Sequence, residues 1–100
     1  MVKHIILWQL KDDIDATASA DIKKGIKDGL ESLLGKIPGL VEIKVYTEGL
    51  PSSNADVMLY SAFTDDESLK GYAVHPEHVA VADSKVRPFT KTRLCLDFED

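Results

Sequence analysis

Alternation of apolar and polar residues marks four segments of the chain, and a helical spacing of apolar residues separates them. Residues 2–10, 40–48, 56–63 and 91–99 have the two-residue period of a strand. Apolar residues recur every three or four positions over 15–36 and again, in two shorter runs, over 64–86. The pattern therefore predicts the order β-α-β-β-α-β.

The first strand is apolar on both of its faces. Ile5 and Leu7 alternate with Ile6 and Trp8, which is typical of a central strand covered on both sides. The third strand also has Met58, Tyr60 and Ala62 on its second face, opposite Val57, Leu59 and Phe63. In the second strand, Val41, Ile43 and Val45 are expected to point one way and Glu42, Lys44 and Glu48 the other. In the last strand, Leu94, Leu96 and Phe98 alternate with Arg93, Cys95 and Asp97.

The helical regions carry recognisable end signals. Gly35 and Pro38 follow the first helix, while Thr64 and Glu67 form the spacing of a capping box, with Thr64 as the N-cap. Pro76 suits a first helical position, so His75 is expected to end one helix and cap the next. Gly25 and Gly29 lie inside the first helix. They either allow close packing against the sheet or are tolerated without a role.

This element order predicts a fold. With right-handed crossovers, β-α-β-β-α-β gives a ferredoxin-like α+β domain, a four-stranded antiparallel sheet with its helices on one face. The other face would then expose apolar residues, and a large apolar face is rarely left in water. We therefore predict a homodimer in which two sheets pack face to face around a two-fold axis.

Composition narrows the class of protein. One hundred residues fit a single domain, 1–100. A net charge of −5 disfavours nucleic acid and anionic membranes as partners. Cys95 is the only cysteine, which excludes an intrachain disulfide and favours a reducing, cytoplasmic location. The short apolar run at the N-terminus is interrupted by His4 and Gln9, so it predicts a strand and not a signal peptide.

Most candidate chemistry lies in segment 72–78 and at His4. Histidine titrates near neutral pH and can act as a general base, and a tyrosine hydroxyl can donate to a developing enolate oxygen. The second interpretation is structural: His75 caps a helix, His78 bonds a backbone carbonyl, and Tyr72 is a core ring with a polar edge. Both interpretations are open on the sequence alone.

Several short motifs resemble the stress-responsive A/B barrel (Dabb) domain family over essentially the whole chain. They are Lys3-His4-Ile5, Lys36-Ile37-Pro38-Gly39, His75-Pro76-Glu77-His78-Val79 with Tyr72 before it, and Asp97-Phe98. The resemblance implies a dimeric α+β barrel built from ferredoxin-like subunits. Many members have no assigned activity, and a plant branch contains polyketide cyclases that perform an intramolecular aldol step without a cofactor.

Matched by motif, the cyclase resemblance implies a general base at His78 and a donor at Tyr72. His4, His75 and Trp8 are then the expected ligand contacts. The plant enzymes carry a further histidine in the third strand, where this chain has Asp56-Val57. The two leading hypotheses are a small-molecule-binding dimer, for an apolar or carbonyl-containing ligand, and a cofactor-free cyclase or lyase. A related oxygenase is a third.

We predict neither a metal nor an organic cofactor. His75 and His78 have a spacing that could share a helix face, with Glu77 or His4 completing a set, but Pro76 disturbs that geometry. Cys95 lies mid-strand between Leu94 and Leu96 and is expected in the core or an interface. No glycine-rich phosphate loop, nucleophile elbow or dinucleotide motif is present.

Overall fold

The computed structural model describes residues 1–100, with four strands and three helices. Their bounds in chain order are β1 Val2–Leu10, α1 Ala16–Glu31, β2 Leu40–Tyr46, β3 Val57–Phe63, α2 Asp66–Val74, α3 Pro76–Val81 and β4 Thr90–Glu99. A π-helical turn (Ala82–Val86) and a 3₁₀ turn (Arg87–Phe89) connect α3 to β4. None of the helices has both the length and the apolar character required to cross a bilayer.

The four strands form one antiparallel sheet in the order β2-β3-β1-β4. β1 is central and pairs with both β3 and β4, so His4 lies opposite Ser61 on one side and Asp97 on the other. This arrangement confirms the ferredoxin-like prediction. Because β1 is the first strand of the chain and β4 the last, their pairing brings together residues from opposite ends of the sequence.

The core lies between the helices and one face of the sheet. Alternate residues of β1 and β3 point into it and meet apolar residues of α1 and α2. Its largest fully buried side chains are those of Tyr72, Phe63, Ile6, Ile26 and Leu30. The polar residues His4 and Ser61 are also buried on this side.

The opposite face of the sheet has no helix over it and is apolar along β1 and β4. Leu94 and Leu96 in β4 are 62% and 63% exposed, and their β1 partners Leu7 and Ile5 are half-buried. Phe98 is 40% exposed. The prediction of an apolar second face is therefore confirmed, and β1 is fully covered on its helix side only.

The predicted faces of β2 are wrong at one residue. The pairing of β2 with β3 shifts between Leu40 and Glu42, which is a β-bulge. An extra residue breaks the strict alternation, so Leu40, Ile43 and Val45 are buried while Val41 is exposed.

The first helix is shorter than predicted. α1 ends at Glu31, and residues 32–36 continue as successive turns in which Gly35 adopts a φ of +89°. Leu33 and Ile37 are nevertheless buried in the core. Turns keep a three-residue repeat, so apolar spacing alone did not show where the helix ended.

The predicted N-cap of the second helical region is also wrong. Asp65, and not Thr64, caps α2, because its carboxylate accepts a hydrogen bond from the Ser68 amide at 2.8 Å. A carboxylate at a helix N-terminus gains from the helix dipole in addition to the hydrogen bond. The hydroxyl of Thr64 instead lies 3.2 Å from the hydroxyl of Ser68.

His75 acts as predicted at the junction of α2 and α3. It ends α2, and its Nδ1 accepts a hydrogen bond from the Glu77 amide at 3.1 Å, with Pro76 in the first turn of α3. Gly29 allows a close approach to Val81 and not to the sheet, since a Cβ at this position would lie 2.9 Å from Cγ1 of Val81. The close approach is thus between α1 and α3.

Candidate functional site

A cavity of about 500 Å³ lies between the sheet and the second helical region. β1 and β4 form its floor, and α2, α3 and the turns that follow them form its walls. Its lining residues are His4, Ile6, Trp8, Leu30, Leu59, Asp66, Leu69, Lys70, Tyr72, Ala73, His78, Ala82, Val86, Arg87, Thr90, Arg93, Cys95 and Asp97. This mixture of apolar walls with a few polar groups is typical of a small-molecule site.

Three of the predicted site residues form a row of rings along this cavity. The ring centroids of Tyr72 and His78 are 4.0 Å apart, and those of His4 and Tyr72 are 5.9 Å apart. Phe63 packs behind Tyr72 at 5.1 Å. His4 comes from β1, Tyr72 from α2 and His78 from α3, so the chain reversal at Pro76 brings the two helical residues together as expected.

Tyr72 and His78 each bury a polar atom that has no hydrogen-bond partner. These atoms are the Tyr72 hydroxyl oxygen and the His78 Nδ1. Burial raises the pKa of Tyr72 far above its ordinary value, with Arg93 opposing weakly, so the hydroxyl keeps its proton. Burial also lowers the pKa of His78, although the nearby carbonyl of Ala73 acts in the opposite direction. At neutral pH the pair therefore offers a protonated donor and an uncharged imidazole.

His4 is held by a carboxylate from the neighbouring strand. Its Nδ1 donates a hydrogen bond to Oδ1 of Asp97, directly opposite it in the register. The thiol of Cys95 lies 3.9 Å from the same ring nitrogen and 3.5 Å from Asp97 Oδ1. Desolvation first, and then Asp97, raise the pKa of this thiol. The carboxylate fixes the orientation of the His4 ring towards the cavity.

The other two predicted ligand contacts differ in position. Trp8 is buried and lines the cavity. His75 does not line it, because its ring faces the first turn of α3 as a cap. Asp56, in the region where the plant cyclases carry a histidine, accepts a hydrogen bond from the Leu10 amide at 2.8 Å and is also outside the cavity.

Sequence reasoning missed the contribution of β4 to this site. Arg93, Cys95 and Asp97 alternate with Leu94, Leu96 and Phe98, and the first three face the cavity. Cys95 is consequently exposed in the cavity wall and not in the core. The alternation was visible in the sequence. The pairing of β4 with β1 was not visible, because the two strands lie near opposite ends of the chain.

Comparisons with known proteins agree with this architecture. A dimeric protein of unknown function with a ferredoxin-like fold from Bacteroides fragilis superposes with a TM-score of 0.92 at 33% identity, covering 99% of this chain and 95% of that one. A hydroxynitrile lyase from Passiflora edulis superposes with a TM-score of 0.72, covering 97% and 90%, but at 17% identity the likeness concerns the fold alone.

Sequence comparison gives the family. The stress-response A/B barrel domain-containing protein DABB1 of Arabidopsis thaliana is 30% identical over 84 residues, or 81% of this chain. This chain spans only 39% of that protein's length. The pattern of the Stress responsive A/B Barrel Domain (Dabb) matches residues 2–100. The chain therefore belongs to the stress-responsive A/B barrel domain family.

Proposed function

We propose that this protein is a homodimer that binds a small, largely apolar molecule with a carbonyl group in the cavity beside Tyr72 and His78. The two unpartnered polar atoms carry the proposal. A buried polar group without a hydrogen bond costs about 1–3 kcal/mol, and native proteins contain few of them. A ligand in the adjoining cavity would remove this cost by supplying partners to both atoms.

The chemistry of the two groups suggests the class of ligand. The Tyr72 hydroxyl keeps its proton and can donate to a carbonyl oxygen, while the neutral His78 ring can accept or donate according to its tautomer. Trp8, Ile6 and Val86 provide apolar wall for the rest of the molecule. With a net charge of −5, we expect neither nucleic acid nor an anionic membrane as a partner. A cytoplasmic location is likewise inferred from Cys95 alone.

The open face of the sheet supports the dimer. Its apolar part lies along β4 and β1, around Leu94 and Leu96, and the Lys3 ammonium donates to the Tyr60 hydroxyl at 2.6 Å on the two central strands. A contiguous exposed apolar patch of this kind is typical of a protein–protein contact surface. The ferredoxin-like relative from Bacteroides fragilis is described as dimeric.

Replacing Tyr72 with Phe tests the ligand site. We expect affinity for a panel of aromatic aldehydes and ketones, measured by calorimetry, to fall about 3- to 10-fold, which is the worth of one hydrogen bond. Without ligand, the variant should be as stable as the wild type or more stable, because a buried unpaired hydroxyl is removed. The matched control is Tyr46→Phe, which removes an exposed hydroxyl outside the cavity. Equal affinities of both variants and the wild type would refute the site.

A second candidate function is a cofactor-free lyase or cyclase, and the neutral His78 beside the protonated Tyr72 is the observation that favours it. In an aldol closure, His78 would remove the proton next to a carbonyl and Tyr72 would donate to the enolate oxygen. In the reverse direction, His78 would take the proton of a β-hydroxyl group. The carbon–carbon bond then breaks, leaving an aldehyde and an enolate.

Turnover of a β-hydroxy ketone and of an aromatic hydroxynitrile would test this candidate, with release of the aldehyde followed by absorbance. His78→Ala should lower the rate about 10²- to 10⁴-fold, the usual contribution of a general base, while the fold persists. His75→Asn is the control, because it removes the other histidine of the motif but can still cap α3. If neither compound reacts, or if the rate does not depend on His78, the catalytic proposal fails and ligand binding stands alone.

A further inference from the structure

The face of β4 that lines the cavity carries a group of possible metal ligands that no part of the proposed function uses. Cys95 and Asp97 are two residues apart and therefore lie on the same face of the strand. The register pairs His4 with Asp97 and Ile6 with Cys95, so the imidazole is opposite one of these side chains and diagonal to the other. Three different ligand types are thus brought together by strand pairing alone.

The three ligand atoms surround a single point. The Cys95 Sγ is 3.5 Å from Asp97 Oδ1 and 3.9 Å from His4 Nδ1, and the carboxylate contacts that nitrogen directly. All three atoms lie within 4.8 Å of one another. Metal–ligand bonds of about 2.0–2.3 Å place the ligand atoms of a tetrahedral zinc ion roughly 3.5 Å apart. The two distances from the Cys95 Sγ are close to that value, whereas the His4 Nδ1 and the Asp97 Oδ1 are in direct contact and would move apart to admit a cation.

A cysteine–histidine–aspartate catalytic triad does not account for this arrangement. In such a triad, the nucleophile and the carboxylate bond opposite nitrogens of the imidazole. Here Cys95 and Asp97 both approach Nδ1, and the one proton on that nitrogen can serve only one of them. A cation at the shared point would contact all three groups at once.

We propose that His4, Cys95 and Asp97 bind one divalent cation of the zinc type, with a fourth coordination position facing the cavity. A thiolate and a carboxylate together carry two negative charges, which balance the cation, and sulfur and imidazole are ligands that favour Zn²⁺ over Mg²⁺ or Ca²⁺. His4 is buried, whereas Cys95 and Asp97 are exposed on the cavity side of β4 and can be reached by a cation from solvent. Three protein ligands and one open position are the usual composition of a reactive zinc site.

Neighbouring charges are compatible with the site. Arg93 precedes Cys95 on the same face of β4, so its positive charge lies on the cavity side of the strand together with the thiol. The site does not depend on the proposed ligand or reaction, because its groups converge without Tyr72 or His78. A carbonyl compound bound in the cavity could supply the fourth ligand.

Titration of the untagged, reduced protein with Co²⁺ tests the proposal directly. We expect one equivalent per chain, visible d–d bands, and a near-ultraviolet sulfur-to-metal charge-transfer band that added Zn²⁺ removes by displacement. Cys95→Ala should abolish the charge-transfer band. It should also weaken Zn²⁺ binding by at least about 10- to 100-fold, the loss seen even when an outer-shell partner is removed. Asp97→Asn should weaken binding and retain the charge-transfer band.

The control variant is His75→Asn, which removes a histidine outside the cavity and should bind Co²⁺ as the wild type does. Cys95→Ser provides a second sulfur-free variant of nearly unchanged size, and circular dichroism of both Cys95 variants verifies their fold. The proposal is overturned if the wild type gives no sulfur charge-transfer band. It is also overturned if Cys95→Ala binds Zn²⁺ as tightly as the wild type, or if only His78→Ala loses the metal.

Discussion

The two faces of the sheet are built from the same strands and have opposite chemistry. On the helix side, apolar residues such as Phe63 are completely buried. The Tyr72 hydroxyl and the His78 Nδ1 are polar atoms that are buried there without a hydrogen-bond partner. On the other side, Leu94 and Leu96 are exposed in the single chain. The first face is covered within one chain and borders a cavity, whereas the second leaves apolar side chains exposed and is the proposed dimer interface. Stability of the fold and assembly should therefore respond to different substitutions.

The largest expected effect is that of a charge on the open face. Leu96→Asp would bury an unpaired carboxylate in each subunit of the dimer, at about 3–5 kcal/mol per charge. Sedimentation velocity at micromolar concentration should then show folded monomers, while the wild type is a dimer. Val74→Asp is the matched control, since Val74 is equally exposed in α2 but away from the sheet. A wild-type protein that sediments as a monomer would contradict the proposed assembly.

A cavity on the helix side should have the next largest effect. Phe63 has no exposed surface, and Phe63→Ala should lower the free energy of unfolding by about 3–5 kcal/mol. Urea denaturation measures this loss. Leu50→Ala, in an exposed loop, should change the same quantity by no more than about 0.5 kcal/mol. Similar losses for both variants would mean that the helix side does not hold the core.

The cap of α2 provides a smaller effect on the same side. Asp65→Ala removes the side chain that accepts from the Ser68 amide and should cost about 1 kcal/mol of stability. Thr64→Ala removes the neighbouring hydroxyl, which makes no bond to a helix amide, and should cost less. Thermal unfolding of the two variants distinguishes the observed cap from the one that the sequence predicted. The reverse order of stabilities would restore Thr64 as the cap.

The smallest expected effect is a pH dependence of stability that arises in the cavity. Burial lowers the pKa of His78 in the folded chain, while an unfolded histidine titrates near its ordinary value of about 6.5. Below that value the unfolded state binds more protons, so stability is complete at higher pH and is lost as the pH falls towards the folded pKa. Urea denaturation at about pH 7.5 and about pH 5.5 should show this loss, and His78→Gln should reduce it. An unchanged loss in His78→Gln would assign it to other groups.

The three local predictions that the structure contradicts each failed for a physical reason. The predicted faces of β2 failed at Val41 because a bulge inserted one residue into the alternation. The end of α1 and the cap of α2 were misplaced because turns imitate helical spacing and because two adjacent residues, Thr64 and Asp65, could each have capped the helix. None of these errors changed the fold, since each moved an element boundary or a single side chain within a correctly predicted order.

Sequence alone determined the element order and the apolar second face of the sheet, and its short motifs singled out His4, Tyr72 and His78 as candidate site residues, because periodicity and motifs are local properties of the chain. Only the tertiary structure decided that His75 lies outside the cavity and that Cys95 and Asp97 lie beside His4. These positions depend on the pairing of β1 with β4, which are separated by nearly the full length of the chain. Such a register is set by the packing of the whole molecule and cannot be inferred from the residues next to either strand.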